Sequence, residues 1–248
     1  MIDLESSVNG VAALAEPVRR DLYLYVAGQA EPVSREQAAE GVGVAAHTAK
    51  FHLDKLALEG LLDIEYRRLS GRGGPGAGRP TKLYRRSQRE VSVSLPHRQY
   101  ALAGQLMARA IDVSTREGRP IVEALHQEAE LLGRAMAAEA SGPHDQPQRG
   151  TAQTEPSAGA PDLVGVLAEQ GFEPHEDGGR IALRNCPFAA LAREHTELVC
   201  GMNLALVGAL ADELGESGRP ARLDPAPGRC CVVFSPPLPD RGDQGVEH

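Results

Sequence analysis

Apolar residues recur at helical spacing near the start of the chain. Val11, Leu14, Val18, Leu22, Tyr25 and Val26 fall on one side of a helix predicted over 11–28, with Arg19, Arg20 and Asp21 on the other. Ser34 followed by Gln37 has the form of a capping box and opens a second, short helix, which Gly41-Val42-Gly43 breaks. A third helix is predicted from about Ala45 to Gly60, with Ala49, Leu53, Leu56 and Leu58 pointing inward and Gly60 as its stop. Two helices joined by a tight glycine-containing turn form the helix-turn-helix pattern. The continuation predicts a winged version: Leu61–Leu69 reads as a strand, Ser70–Pro80 as a loop holding five glycines and two prolines, and Thr81–Arg86 as the returning strand.

From Pro96 the pattern becomes alanine-rich helix. Tyr100, Leu102, Leu106, Ala110 and Val113 lie in one stretch, and Ile121, Leu125, Leu131, Leu132 and Met136 in a second. These stripes are wider than a small domain buries, and pairing with a second copy is expected of them. Residues 141–160 lack apolar periodicity and are rich in Gly, Pro, Gln and Thr, the composition of a flexible linker. Beyond it come a helix over Leu163–Gln170, a hairpin turning at Asp177-Gly178-Gly179, a largely helical stretch from Pro187 to Leu214, and short strands at Ala221–Leu223 and Cys231–Phe234. The expected fold is mainly α with α+β: a winged helix-turn-helix at 1–95, a helical dimerisation segment at 96–140, a linker at 141–160, a small α+β cysteine-bearing sensor domain at 161–235, and a disordered tail at 236–248.

Charge sharpens this division. The net charge of −8 argues against a general polyanion binder, yet residues 64–90 hold eight basic side chains against two acidic ones. A local basic footprint on an acidic body suits a module that contacts double-stranded DNA. His47, Thr48 and Lys50, near the start of the third helix, are the candidates for base edges and phosphates; Arg72, Arg79 and Lys82 are candidates in the wing, where Gly78-Arg79-Pro80 has the slim form that enters a minor groove. Phe51 and Leu53 read as core, and His52 as a capping or packing residue as readily as a ligand. Reading two half-sites needs two copies, so a homodimer is expected. No run of about 18 apolar residues suggests a membrane span, and the acidic N-terminus lacks the form of a secretory signal, so the cytoplasm is the expected compartment.

All four cysteines lie in the last third, as Cys186, Cys200 and the adjacent pair Cys230-Cys231. Clustered cysteines in a reducing compartment bind metal or act in redox chemistry more often than they form a disulfide framework. The gaps are 13 residues between Cys186 and Cys200 and 29 between Cys200 and Cys230. They are too long for a zinc knuckle and unlike the ferredoxin runs, so spacing alone gives a metal site and packed thiols even weight. Adjacent residues on an extended strand face opposite ways, which leaves one of Cys230 and Cys231 as a bystander. Pro187 in a first helical turn would set Cys186 beside helix N–H groups. No nucleophile-elbow, P-loop or H-E-x-x-H motif occurs, so an enzyme is not expected.

Lys50-Phe51-His52-Leu53-Asp54-Lys55-Leu56, the wing Gly78-Arg79-Pro80-Thr81-Lys82-Leu83-Tyr84, and the later Cys186-Pro187-Phe188, His195, Leu198-Val199-Cys200 and Cys230 together resemble the SufR-like iron–sulfur regulators, whose DNA-binding part is of the ArsR/DeoR type. The likeness covers about residues 10–90 and 162–234. It implies a homodimeric repressor of an operator, controlled by a 4Fe-4S or 2Fe-2S cluster on Cys186, Cys200 and Cys230. Three thiolates would leave one iron of a four-iron cluster open to water, a small thiol or a side chain such as His195, although a capping or packing role for His195 is the stronger reading. Zinc is the alternative metal, and a thiol-redox or small-effector-binding repressor the alternative regulator.

Overall fold

The first break in the chain falls at Pro17. Instead of one helix over 11–28 there are two, α1 (Leu4–Ala13) and α2 (Pro17–Ala27). Proline has no N–H to continue a helix but fits its first turn, and Glu16 caps the new start by accepting from the amides of Val18 and Arg19 at 3.2 and 2.6 Å. The structure, a computed structural model, describes residues 4–68, 80–142 and 162–236. The chain divides into two units, Met1–Ser94 and Leu95–His248.

In the N-terminal unit, α3 (Arg35–Val42) opens with the expected capping box. Ser34 Oγ accepts from the Gln37 amide at 3.2 Å, and Gln37 Oε1 accepts from the Ser34 amide at 2.8 Å. Gly43, at φ 76°, adopts the left-handed conformation that closes the helix and starts the turn toward α4 (Ala46–Leu58). Strands β2 (Leu62–Arg67) and β3 (Thr81–Arg86) pair antiparallel from Leu62↔Arg86 to Arg67↔Thr81. A two-residue strand, β1 (Val33–Ser34), adds to the other edge of β3, giving the order β1-β3-β2. It is too short to show alternation in the sequence. Leu22, Val26, Ala38, Ala49, Leu53, Leu56 and Tyr84 form the core beneath. Leu58, expected inside, is 77% exposed. At about 100° per residue it stands well away from the Ala49–Leu53–Leu56 stripe. The glycine-rich loop with Arg72 and Arg79 lies outside the described residues, as do most of the expected linker and all but the first residue of the expected tail.

The C-terminal unit comprises α5 (Tyr100–Glu117), α6 (Ile121–Ser141), α7 (Leu163–Glu169), α8 (Ala189–Glu194) and α9 (Thr196–Glu213) with a four-stranded antiparallel sheet. Its strands are β4 (Pro174–Asp177), β5 (Arg180–Leu183), β6 (Ala221–Leu223) and β7 (Val232–Phe234), in the order β4-β5-β7-β6. The β4–β5 hairpin turns through Gly178 and Gly179, both at positive φ, as the sequence predicted. The expected division between a dimerisation segment and a sensor domain is not a boundary in the packing. Ala103, Leu106, Ala110, Leu125, Ala129 and Ala137 of α5 and α6 share one core with Phe172, Phe188, Leu206 and Phe234. The reason is α9, which is apolar on nearly every side and takes up the α6 stripe directly. Ile111, Ile121, Val122 and Leu131 stay exposed. No helix among the described residues is long and apolar enough to cross a membrane.

Candidate functional site

On α4, His47, Lys50 and Phe51 point outward and Thr48 is half-buried. Phe51 is 65% exposed, contrary to its expected place in the core. It sits one turn beyond His47, on the face opposite the buried Ala49 and Leu53. Asp54, one turn further, is tied to the sheet: its Oδ1 accepts from Lys82 Nζ and from Tyr84 Oη, the latter at 2.7 Å. Burial pushes the Asp54 carboxyl upward, but the hydrogen bonds from Lys82 and Tyr84 and the charges of Lys82 and Lys50 outweigh it, so its pKa lies below the ordinary 3.8. Lys82, whose ammonium also stands 5.2 Å from the Tyr84 ring centre, is therefore engaged within its own unit rather than free for a phosphate. Lys50, Arg68, Arg85 and Arg86 have no salt-bridge partner among the described residues. His52 Nδ1 accepts from Arg19 Nε at 3.3 Å, a contact that fastens α4 to α2.

In the C-terminal unit the four thiols meet at one cavity of about 520 Å³. Cys186 follows β5, Cys200 is in α9, and Cys230 and Cys231 precede β7. All four line that cavity, and Cys186 with Cys230, and Cys200 with Cys231, lie near enough to shift one another's protonation. The Cys230 sulfur receives Asn203 Nδ2 at 3.3 Å. The hydrogen bond with Cys230, then burial, drives the Cys186 thiol well above its ordinary 9.0. Burial raises Cys200 against the opposing hydrogen bond from Cys231. Cys230 is pulled down by Cys186 but raised further by Cys231 and by burial. Each raised thiol holds its proton more tightly than a free one, so a cation binding there would have to displace it.

The walls supply positive charge. Arg98, Arg184, Arg193 and Arg229 line the cavity, and no carboxylate does among the described residues. Arg98 donates to the Asn185 side chain and to the Cys186 carbonyl, Arg229 pairs with Asp224 at 3.0 Å, and Arg184 and Arg193 have no salt-bridge partner among the described residues. No group of three or more His, Cys, Asp or Glu side chains among the described residues is placed to hold a metal ion as the side chains stand. His195, at the joint between α8 and α9, is exposed and does not line the cavity.

Residues 14–65 match a helix-turn-helix domain. The match runs from just before α2 into β2, so α4 is the second helix of the motif and the antiparallel β2–β3 pair follows it as a wing. A DNA-binding transcription regulator is what this domain suggests. No curated protein and no solved structure matches the chain. Within the helix-turn-helix unit, sequence reasoning found the exposed His47 and Lys50 but missed Phe51, since an aromatic in an apolar-looking helix reads as core until the phase of the stripe is fixed. In the C-terminal unit it found three of the cavity thiols. It missed Cys231 as a lining residue, together with Asn203 and the arginine walls, which come from elements distant in sequence.

Proposed function

We propose that the protein is a SufR-like, homodimeric, cytoplasmic repressor whose affinity for its DNA operator is set by an iron–sulfur cluster on Cys186, Cys200 and Cys230. One observation carries the reading: thiols separated by up to 44 residues, from Cys186 to Cys230, line a single cavity walled by arginines and free of lining carboxylates among the described residues. Thiolates are the donors such clusters take, and the guanidinium groups offset the negative charge of the assembly. The donor set therefore fits the group. When bound, a cluster supplies a sensitive inorganic link whose loss or oxidation is the signal. The chain's own residues do the rest: Cys186 anchors the end of β5, Cys200 anchors α9, and Cys230 anchors the approach to β7, so that occupancy ties three elements together. His47, Thr48 and Lys50 would read the operator, with Arg72, Arg79 and the basic edge of β3 on the backbone; Lys82 would add its charge only by leaving Asp54. The exposed Ile111, Ile121, Val122 and Leu131 support pairing of two copies.

A thiol-redox switch is the second reading, favoured by the shared cavity and by the mutual influence of Cys186 with Cys230 and of Cys200 with Cys231. Anaerobic purification with iron, sulfide and zinc analysis separates the two. Brown protein carrying iron and sulfide, with operator binding that falls on their removal, is the expected result. Colourless protein without iron, whose DNA affinity follows thiol oxidation, would replace the cluster with the switch. A monomer at micromolar concentration, with and without DNA, would remove the dimer.

A further inference from the structure

We propose that Cys231 is a fourth sulfur ligand in this cavity, so that the chain itself completes the site and leaves no position for water, a small thiol or His195. The inference rests on the cluster reading above and adds to it the residue that the strand argument set aside. That argument needs Cys230 and Cys231 both to lie on an extended strand, where neighbouring side chains diverge. They do not: β7 begins at Val232, the chain bends at Cys231, and both residues line the cavity.

The bend is pinned from several directions. The Cys230 amide donates to the Leu183 carbonyl at 2.8 Å, and the Cys231 carbonyl accepts from the Asp224 amide at 2.7 Å. Arg229 closes the loop by donating to the Cys230 carbonyl at 3.1 Å and pairing with Asp224 at 3.0 Å. With both backbone units held, the Cα–Cβ directions of both residues are set. Adjacent residues thus border a common space, which Cys186 and Cys200 also line. Four cysteine thiolates are the full protein complement of either a two-iron or a four-iron cluster. His195, exposed and away from the cavity lining, is not needed.

Differential alkylation of the anaerobically purified full-length protein tests this. Iron-loaded and chelator-stripped samples receive a brief pulse of iodoacetamide, are denatured and stripped, and are then labelled with a heavy isotopologue; fragment-ion mass spectrometry resolves Cys230 from Cys231. The two half-buried thiols, Cys186 and Cys231, should react at least about tenfold more slowly in the loaded protein than in the stripped one, because a ligated sulfur is no longer a free nucleophile. Cys231→Ala should fold, by circular dichroism and gel filtration, yet lose most of the iron of the parent. Equal alkylation of Cys231 in both samples, with Cys186 protected only in the loaded one and iron present, would overturn the proposal and leave the three-cysteine cluster standing. So would parental iron content in Cys231→Ala. Absence of iron from the parent, or protection of neither Cys186 nor Cys231 on loading, would overturn the cluster reading and this inference with it.

Discussion

Phe51 and Lys50 are neighbours on α4, and both face solvent, but they have different chemistry to offer a duplex. An ammonium is attracted to phosphates in any sequence, whereas an apolar ring in the major groove has the thymine methyl as its partner. Lys50→Ala is expected to weaken binding about equally across sequences and to reduce the slope of log affinity against log salt by about 1. Phe51→Ala should instead cost sequence preference. Replacing thymine by deoxyuridine in DNA selected by the parent protein should weaken parent binding by about 0.8 kcal/mol per buried methyl, and Phe51→Ala should no longer distinguish the two. Fluorescence anisotropy titrations check both; equal behaviour of the two variants would take Phe51 out of the groove. Asn203 is the corresponding case in the C-terminal unit. Its amide donates to Cys230 while its buried Oδ1 has no partner among the described residues, an arrangement that burial alone disfavours. Asn203→Leu should therefore change the unfolding free energy by less than about 1 kcal/mol, or raise it, while lowering iron retention. A thermal melt and an iron assay on the same preparation separate the effects. Sequence exposed the cysteines as a group because their clustering survives in one dimension. Asn203 stayed hidden because its role depends on α9 facing the loop before β7.

At the scale of elements, local chemistry was legible and tertiary chemistry was not. The Ser34–Gln37 box announced α3 because its partners are three residues apart, and Gly178-Gly179 announced the β4–β5 turn for the same reason. Lys82 reads as a wing cation until Asp54 and Tyr84 are brought beside it. That pairing straps α4 to β3 and makes a pH-dependent contribution. Asp54 has a lowered pKa in the fold, so its contribution is present above the ordinary 3.8 and is lost as pH falls through the lower folded value. Acid titration of unfolding should show this loss in the parent and a flatter profile in Asp54→Asn; four of the five tyrosines, Tyr23, Tyr25, Tyr66 and Tyr84, lie in the N-terminal unit and make tyrosine fluorescence its reporter. Glycine substitutions test the packing of the other unit with opposite signs. A Cβ on Gly133 of α6 would overlap the Leu206 carbonyl and crowd the Leu210 amide of α9, whereas one on Gly104 of α5 would meet open space. Gly133→Ala should cost roughly 1–3 kcal/mol through forced separation of backbones. Gly104→Ala should add about 0.5–1 kcal/mol from helix propensity alone. Urea unfolding followed by circular dichroism measures both.

Over the whole molecule, the two units solve different problems, and only one of them is a match to a known domain. The C-terminal unit draws its cavity from β5, α9 and the loop before β7, yet its core is filled by Phe172, Ile181, Leu183, Phe188, Met202, Leu206 and Phe234. A zinc finger, by contrast, has too little core to fold without its metal. Chelator-stripped protein is accordingly expected to keep its helical circular dichroism and a cooperative melt, at a lower midpoint because a ligand bound only to the folded state stabilises it. Collapse of the helical signal on stripping would show that the thiols are needed for folding itself.

The pinned loop from Asp224 to Cys231 gives that resilience a further meaning. Its backbone hydrogen bonds, one to Leu183 of β5 and one between Asp224 and Cys231, and its Arg229–Asp224 pair involve no sulfur. The cradle would therefore outlast its contents, and an emptied chain would be a blank that accepts a new charge rather than a spent part awaiting replacement. If the cavity holds a cluster, a cell could then rewrite its record of iron and sulfur supply on protein it already has, at the speed of assembly chemistry instead of the speed of translation.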